Sequence, residues 1–161
     1  MAPDTAKVLL RADSSPYTII DSSSAELNSS GNGILNFNEA LDGTGYFIVI
    51  NHRNSIETWS AAPQSFTSGN LSYDFTTSSS QAFGSNMLQV DNSPVRFGIY
   101  VGDPNKDGVV DVSDAGQVDN DAANFVAGYV LTDLNGDLVV DVSDAVFTDN
   151  NSANFISKVT P

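Results

Sequence analysis

The chain has 161 residues, 40% of them hydrophobic and 9% aromatic, with a formal charge of −14 and no cysteine. That is enough apolar material to bury a core, so general disorder is excluded despite the many Ser, Asn, Asp and Gly residues. The missing cysteine excludes disulfides, thiolate catalysis and cysteine-based zinc sites, and the longest apolar run, Tyr46–Ile50, is far short of the roughly 18 residues that cross a membrane.

Taken from the start, MAPDTAKV has no basic stretch followed by an apolar one, so no export signal is read there, and Met1 is expected to be a cloning start in place of a removed leader. Up to residue 101 follow short segments rich in Val, Ile, Tyr, Phe and Thr: KVLLRA, YTIID, SAELN, GILNF, GYFIVINHR, IETWS, LSYDFTT, MLQVD and VRFGIYV. Between them lie SSP, SSGNG, LDGTG, TSGN and DNSP, which supply the residues that turns require. Seven to nine short strands without a helical period predict an antiparallel β-sandwich over residues 1–101, similar to immunoglobulin or transthyretin domains. In GYFIVI, Tyr46, Ile48 and Ile50 alternate with Phe47 and Val49, so both faces are apolar. One is expected to meet the core and the other to be covered by loops, by the C-terminal module or by a partner.

Charge separates this region from the rest. Nine acidic and four basic residues precede Gly102, whereas eleven Asp and two Lys follow, a net of −9 in the last 60 residues. Such density repels itself and nucleic-acid phosphates alike, and it predicts a cationic neutraliser. The same stretch repeats at an offset of 30 residues: GDPNKDGVVDVSDAGQVDNDAANFV from Gly102 aligns with TDLNGDLVVDVSDAVFTDNNSANFI from Thr132, sharing VVDVSDA. Residues 102–131 and 132–161 are therefore two copies of one unit, each too short to bury an apolar face alone, and they are expected to pack together about a pseudo-twofold axis. Ala115, Val118, Ala122, Phe125, Ala145, Ala153 and Phe155 are expected in the core between them, and Gly128 is expected to end the first helix.

Asp103, Asn105, Asp107, Gly108, Asp111 and Asp114 fit a twelve-residue calcium loop, D-x-N-x-D-G-x-x-D-x-x-D. Calcium takes six to eight oxygen ligands. Asp103, Asn105 and Asp107 offer side-chain oxygens, Val109 its carbonyl, Asp111 a direct or water-mediated contact, and Asp114 both carboxylate oxygens from the first helical turn. Asp133, Asn135, Asp137, Val139, Asp141 and Asp144 repeat the set, so two Ca2+ ions are expected. Leu138 replaces the turn glycine, and a left-handed backbone there costs on the order of 1 kcal/mol, which predicts a second site about tenfold weaker.

These residues resemble a dockerin, the calcium-dependent pair of loop-helix repeats that docks secreted enzymes onto cohesin domains, over about the last 60 residues. The resemblance implies partner contacts at Val112 and Ser113 and at Val142 and Ser143, with a further pair at Asp119 and Asn120 and at Asp149 and Asn150. The family commonly has a basic or hydrophobic pair at these last positions, a departure that points away from an ordinary cohesin. The whole chain is also similar to the C-terminal region of large secreted bacterial proteins, in which a segment like His52–Ser60 precedes paired calcium repeats; this implies a secreted or cell-surface location.

Catalytic material is thin. His52 is the only histidine and reads as a strand-end residue. Glu26, Glu39 and Glu57 lie in separate segments, Arg53 and Glu57 are expected to pair across a turn, and no nucleophile motif occurs. The leading expectation is a non-catalytic, calcium-stabilised adaptor. The alternatives are a carbohydrate-binding accessory module of a polysaccharide-degrading enzyme, using Trp59, Tyr73, Tyr17 or Tyr100, or a structural subunit of a surface assembly, for which the edge-like KVLLRA is the hint.

Overall fold

The computed structural model describes residues 4–28 and 30–161; Met1, and Ser29 of the SSGNG turn, lie outside them. The chain is β-rich with a small α-helical part. Strands β1 (Asp4–Ala12), β2 (Ile19–Leu27), β3 (Gly45–His52) and β4 (Thr58–Trp59) form an antiparallel sheet in the order β2-β1-β3-β4, and β5 (Gln64–Ser65) pairs with the start of β3. A separate hairpin joins β6 (Leu88–Asn92) to β7 (Val95–Gly98).

The expected two-sheet sandwich gives way to one sheet and a hairpin because two anticipated strands lack a partner. GILNF and LSYDFTT run outside any strand, and in the latter the Asp74 carboxylate accepts the Thr76 N–H at 2.8 Å, turning the chain into a single 3-10 turn at Phe75–Thr77. KVLLRA is no edge either. β1 pairs with β2 on one side and β3 on the other, and the polar, largely exposed β2 takes the edge.

Two apolar layers flank β3. Tyr46 and Ile48 join Val8 and Leu10 of β1 beneath Phe75, Ala82 and Met87. On the other face Phe47 and Val49 join Leu9 and Trp59, with Tyr17 edge-on to Phe47 at 5.8 Å and to Trp59 at 6.0 Å. Both faces of GYFIVI are thus covered by the β region itself, and the C-terminal repeats are free to pack elsewhere.

Helices α1 (Val112–Ala123) and α2 (Val142–Ala153) each start with the same device. Asp111 and Asp141 accept the N–H groups of Ser113 and Ser143 at 2.7 Å, while Asp114 and Asp144 reach back to the N-cap backbone. This closes a reciprocal capping box and satisfies otherwise orphaned donors. The helices meet over Val118, Leu134 and Val140, with Ala122 and Ala145 beside them. Each loop then pairs with the segment after the other helix: Val109 with Ser157, and Val139 with Ala127. The repeats interlock rather than merely touch.

Two expectations fail here for a backbone reason. The first helix ends at Ala123, well before Gly128. The residues that turn the chain are Phe125 and Phe155, both at φ +54, and this conformation throws their side chains out to 89% and 87% exposure instead of into the core. Thr148, fully buried, fills the place in α2 that Val118 fills in α1. No helix of the described residues is long and apolar enough to cross a membrane.

Candidate metal loops and their junction with the sheet

In the first loop Asp103 is 1% exposed and Asp114 fully buried, while Asn105 and Asp107 lie at the surface. One Asp103 oxygen accepts the Gly108 N–H at 3.1 Å; the other, Oδ1, is buried without a hydrogen-bond partner. An acceptor so placed costs free energy unless something cationic or donating meets it. Asn105 Nδ2 donates to Ser113 Oγ at 3.0 Å and Asn105 Oδ1 accepts the Asp107 N–H at 2.8 Å; Asp107 Oδ1 accepts the Val109 N–H at 2.9 Å. Asp114 Oδ2 accepts the Asp111 N–H at 2.9 Å. Burial pushes the Asp103 and Asp114 carboxyls above their ordinary range; the charge of Lys106 opposes this at Asp103, and the Asp111 N–H opposes it at Asp114. Ser113 and Ser143, donating from hydroxyl and backbone, hold Asp111 and Asp141 below that range.

The second loop has the same outline and a different economy of charge. Asp133 Oδ1 accepts N–H groups from Gly136 at 2.9 Å and Asp137 at 3.2 Å, and Oδ2 accepts from Leu138 at 3.2 Å and lies 3.6 Å from Arg53 Nη2. Asp144 Oδ1 accepts from Leu134 and Asn135 at 2.7 and 3.0 Å, and Oδ2 from Asp141 at 3.0 Å. Val109 and Val139 enter either ligand set only through carbonyls, on backbone fixed by the cross-repeat bridges.

Backbone strain does not separate the loops as the Leu138 substitution suggests. Leu138 does adopt the left-handed φ of +72 where Gly108 has +90, but two residues earlier the roles reverse: Lys106 is at +62 where Gly136 has +76. Each loop carries one left-handed non-glycine residue. At Gly108 a Cβ would lie 2.7 Å from Lys158 Cδ, so that exposed lysine stem would have to move aside.

All twelve expected ligand residues thus fall on two matching loops. Among the described residues no three Asp, Glu, His or Cys side chains converge as a metal-holding group; backbone N–H groups hold the carboxylates along each loop. The donor set is all oxygen, as calcium requires, and the unpartnered Asp103 Oδ1 marks the first loop as the better fit.

Sequence reasoning missed the junction. The β3–β4 turn, Arg53–Asn54–Ser55, reaches both loops: the Asn54 carbonyl accepts N–H groups from Gly102 and Asp103 at 2.8 and 3.1 Å, and Asn54 Nδ2 donates to the Asp133 carbonyl at 2.8 Å. Lys106 Nζ donates to the carbonyls of His52, at 2.8 Å, and of Ser55. Arg53 pairs with Asp4 and Asp133 rather than Glu57, which faces Arg11 at 3.7 Å and accepts Trp59 Nε1–H at 2.8 Å. The only sequence signal was a run of polar donors directly after an apolar strand. Comparison with family models, curated proteins and solved structures returned no match.

Proposed function

We propose that residues 102–161 form a dockerin-like module holding two calcium ions, and that the chain is a non-catalytic adaptor of a secreted or cell-surface protein. The observation that carries the metal reading is Asp103 Oδ1, buried and unpartnered at the head of a duplicated all-oxygen loop. The carboxylates of Asp103, Asp107 and Asp114, with Asn105 and the Val109 carbonyl, would hold the first ion, and Asp133, Asn135, Asp137, the Val139 carbonyl and Asp144 the second. Asp111 and Asp141 each spend one oxygen on a helix cap, which suits a contact through water. A bound divalent ion supplies the positive charge that this acidic tail lacks. Extracellular calcium near the millimolar range fills even weak loops of this class, so the ions are permanent structural parts. Equilibrium dialysis against calcium followed by elemental analysis should find two ions per chain; none retained would overturn the reading.

Docking is supported by what the fold leaves outside. Phe125 and Phe155 sit at a left-handed position where glycine is the usual residue, and both rings are almost wholly exposed. A bulky residue there costs about 1 kcal/mol and returns no core packing, which favours a contact role. Phe155 borders a shallow groove with Val109 and Val112, and Val112 and Val142 are 83% and 75% exposed. Ser113, Asp119, Asn120, Ser143, Asp149 and Asn150 are also at the surface. The partner is a protein with apolar sockets and a basic rim, a cohesin-like domain or a neighbouring domain of the parent protein. Capture of that parent from native extracts by the immobilised chain should vanish with chelator and with Phe125→Gly plus Phe155→Gly; persistence in both would refute docking. Glycan binding has less support, because Trp59 is buried at 4% exposure and Tyr17 stands edge-on to it. His52, committed to Asp4 at 2.9 Å, fits the non-catalytic reading.

A further inference from the structure

The β3–β4 turn treats the two loops unequally. At the first it offers neutral acceptors, the carbonyls of His52 and Ser55, which draw Lys106, the loop's own cation, onto themselves. At the second it offers a charge: Arg53 Nη2 lies 3.6 Å from Asp133 Oδ2. That guanidinium is not a passing surface contact. Its side chain is 9% exposed, donates to the Val130 carbonyl, lies 3.5 Å from Asp4 Oδ2 and stacks over Tyr129 at 4.5 Å; Tyr129 in turn donates to Asp4 at 2.6 Å. Three residues, Asp4, Tyr129 and Val130, therefore hold a positive charge beside the first residue of the second loop. The carboxylates contrast accordingly: Asp103 keeps an unpartnered oxygen, whereas both oxygens of Asp133 are met by N–H groups, one of them also by Arg53.

We propose that Arg53 is a resident counter-ion of the second loop, which holds that loop folded without metal and makes it fill with calcium only after the first. The inference rests on the calcium reading above. Physically, a fixed guanidinium and an incoming divalent cation compete for one carboxylate, and like charges held a few ångströms apart at a partly buried site oppose each other strongly. The first loop's own cation, Lys106, is tied to the His52 and Ser55 carbonyls and leaves Asp103 Oδ1 unmet, so the order of that loop depends more on the ion. Since each loop carries one left-handed non-glycine residue, the difference comes from Arg53 rather than from Leu138.

Calcium titration calorimetry on the full chain tests this, in a background where Asp103→Asn and Asp114→Asn silence the first loop. Arg53→Met keeps the stem that packs on Tyr129 and removes the charge; it should tighten the remaining site about tenfold, with the gain shrinking at high salt. Arg53→Lys, which keeps the charge, should stay within about twofold of the parent. An unchanged or weakened site in a folded Arg53→Met chain overturns the proposal. A second measurement needs no variant. In the chelated natural chain, amide exchange should leave Gly136, Asp137 and Leu138 protected and Gly108 unprotected; equal loss in both loops sinks the counter-ion role. If the natural chain binds no calcium, the calcium reading has failed, and the exchange pattern still decides whether Arg53 holds the second loop.

Discussion

The sheet and the C-terminal repeats keep their shapes by different means. Around β3 the buried side chains are mostly apolar, in two layers that include Leu10, Val49, Phe47 and Trp59, and the buried polar ones, Asn54, Ser55, Thr58 and Ser60, are uncharged. Between the repeats the buried apolar cluster is three residues, Val118, Leu134 and Val140, and it shares the interior with Asp103, Asp114, Asp133 and Asp144. Burial of apolar area stabilises the first region whatever the ionic conditions. The second has set four carboxylates where burial is costly, so its stability is conditional on what neutralises them. On the calcium reading proposed above, the fold joins an apolar half to a half stabilised by ions, and the sheet makes the joint through Arg53, Asn54 and the carbonyls of His52 and Ser55.

The largest test of this contrast is chelation. With calcium at a hundredfold over Kd, each ion adds about 2.7 kcal/mol, so removing both should loosen α1 most, and α2 less because Arg53 holds its loop, while the sheet persists. Far-UV circular dichroism should lose helical signal and keep strand signal; an unchanged spectrum and melting temperature would erase the distinction. Next in size are matched core truncations. Leu10→Ala in the sheet and Leu134→Ala between the repeats should each cost about 3 kcal/mol, the first lowering a calcium-independent melting transition and the second a calcium-dependent one. If both variants shift one common transition equally, the two regions unfold as a single cooperative unit and the comparison breaks.

Smaller effects sharpen it. Replacing Phe125 and Phe155 by glycine relieves left-handed backbone and should stabilise the repeats by about 1 kcal/mol at each position, raising their melting temperature even as it weakens partner capture. Asp103→Asn should behave oppositely with and without metal. Its carboxyl is pushed up by burial, so in the metal-free chain its contribution is fully present below about pH 3.8 and is lost as pH rises through the higher folded value. Metal-free Asp103→Asn should thus match the natural chain at the lowest pH and become the more stable as pH rises, whereas with calcium it should be the weaker binder. The smallest effect is at the joint. Burial raises the Asp4 carboxyl, but hydrogen bonds from Tyr129 and His52 and the charges of His52 and Arg53 outweigh it, leaving its pKa lowered. Its contribution is present above the ordinary carboxylate range and is lost as pH falls through the folded value, so Asp4→Asn should flatten the acid limb of a pH-stability profile.

The sequence by itself determined whatever is local and periodic. The 30-residue duplication, the matching acidic loops and the start of each helix follow from spacing alone, because a loop ligand and a helix cap act within a few residues of each other; Asp111 and Asp114 close their capping box without help from the sheet. The apolar alternation of GYFIVI likewise placed β3 and its two buried faces. Only tertiary structure decided what depended on partners distant in the chain. KVLLRA became the centre of the sheet because β2 and β3 fold against it, GILNF and LSYDFTT found no strand to pair with, and Phe125 and Phe155 left the core through a backbone φ that hydrophobic spacing does not encode. The loops differ in sequence at Pro104, Lys106 and Gly108, which become Leu134, Gly136 and Leu138, but the guanidinium beside the second loop belongs to Arg53, 80 residues before Asp133. Electrostatic neighbours are chosen by the fold, and a pattern of residues along the chain carries no record of them.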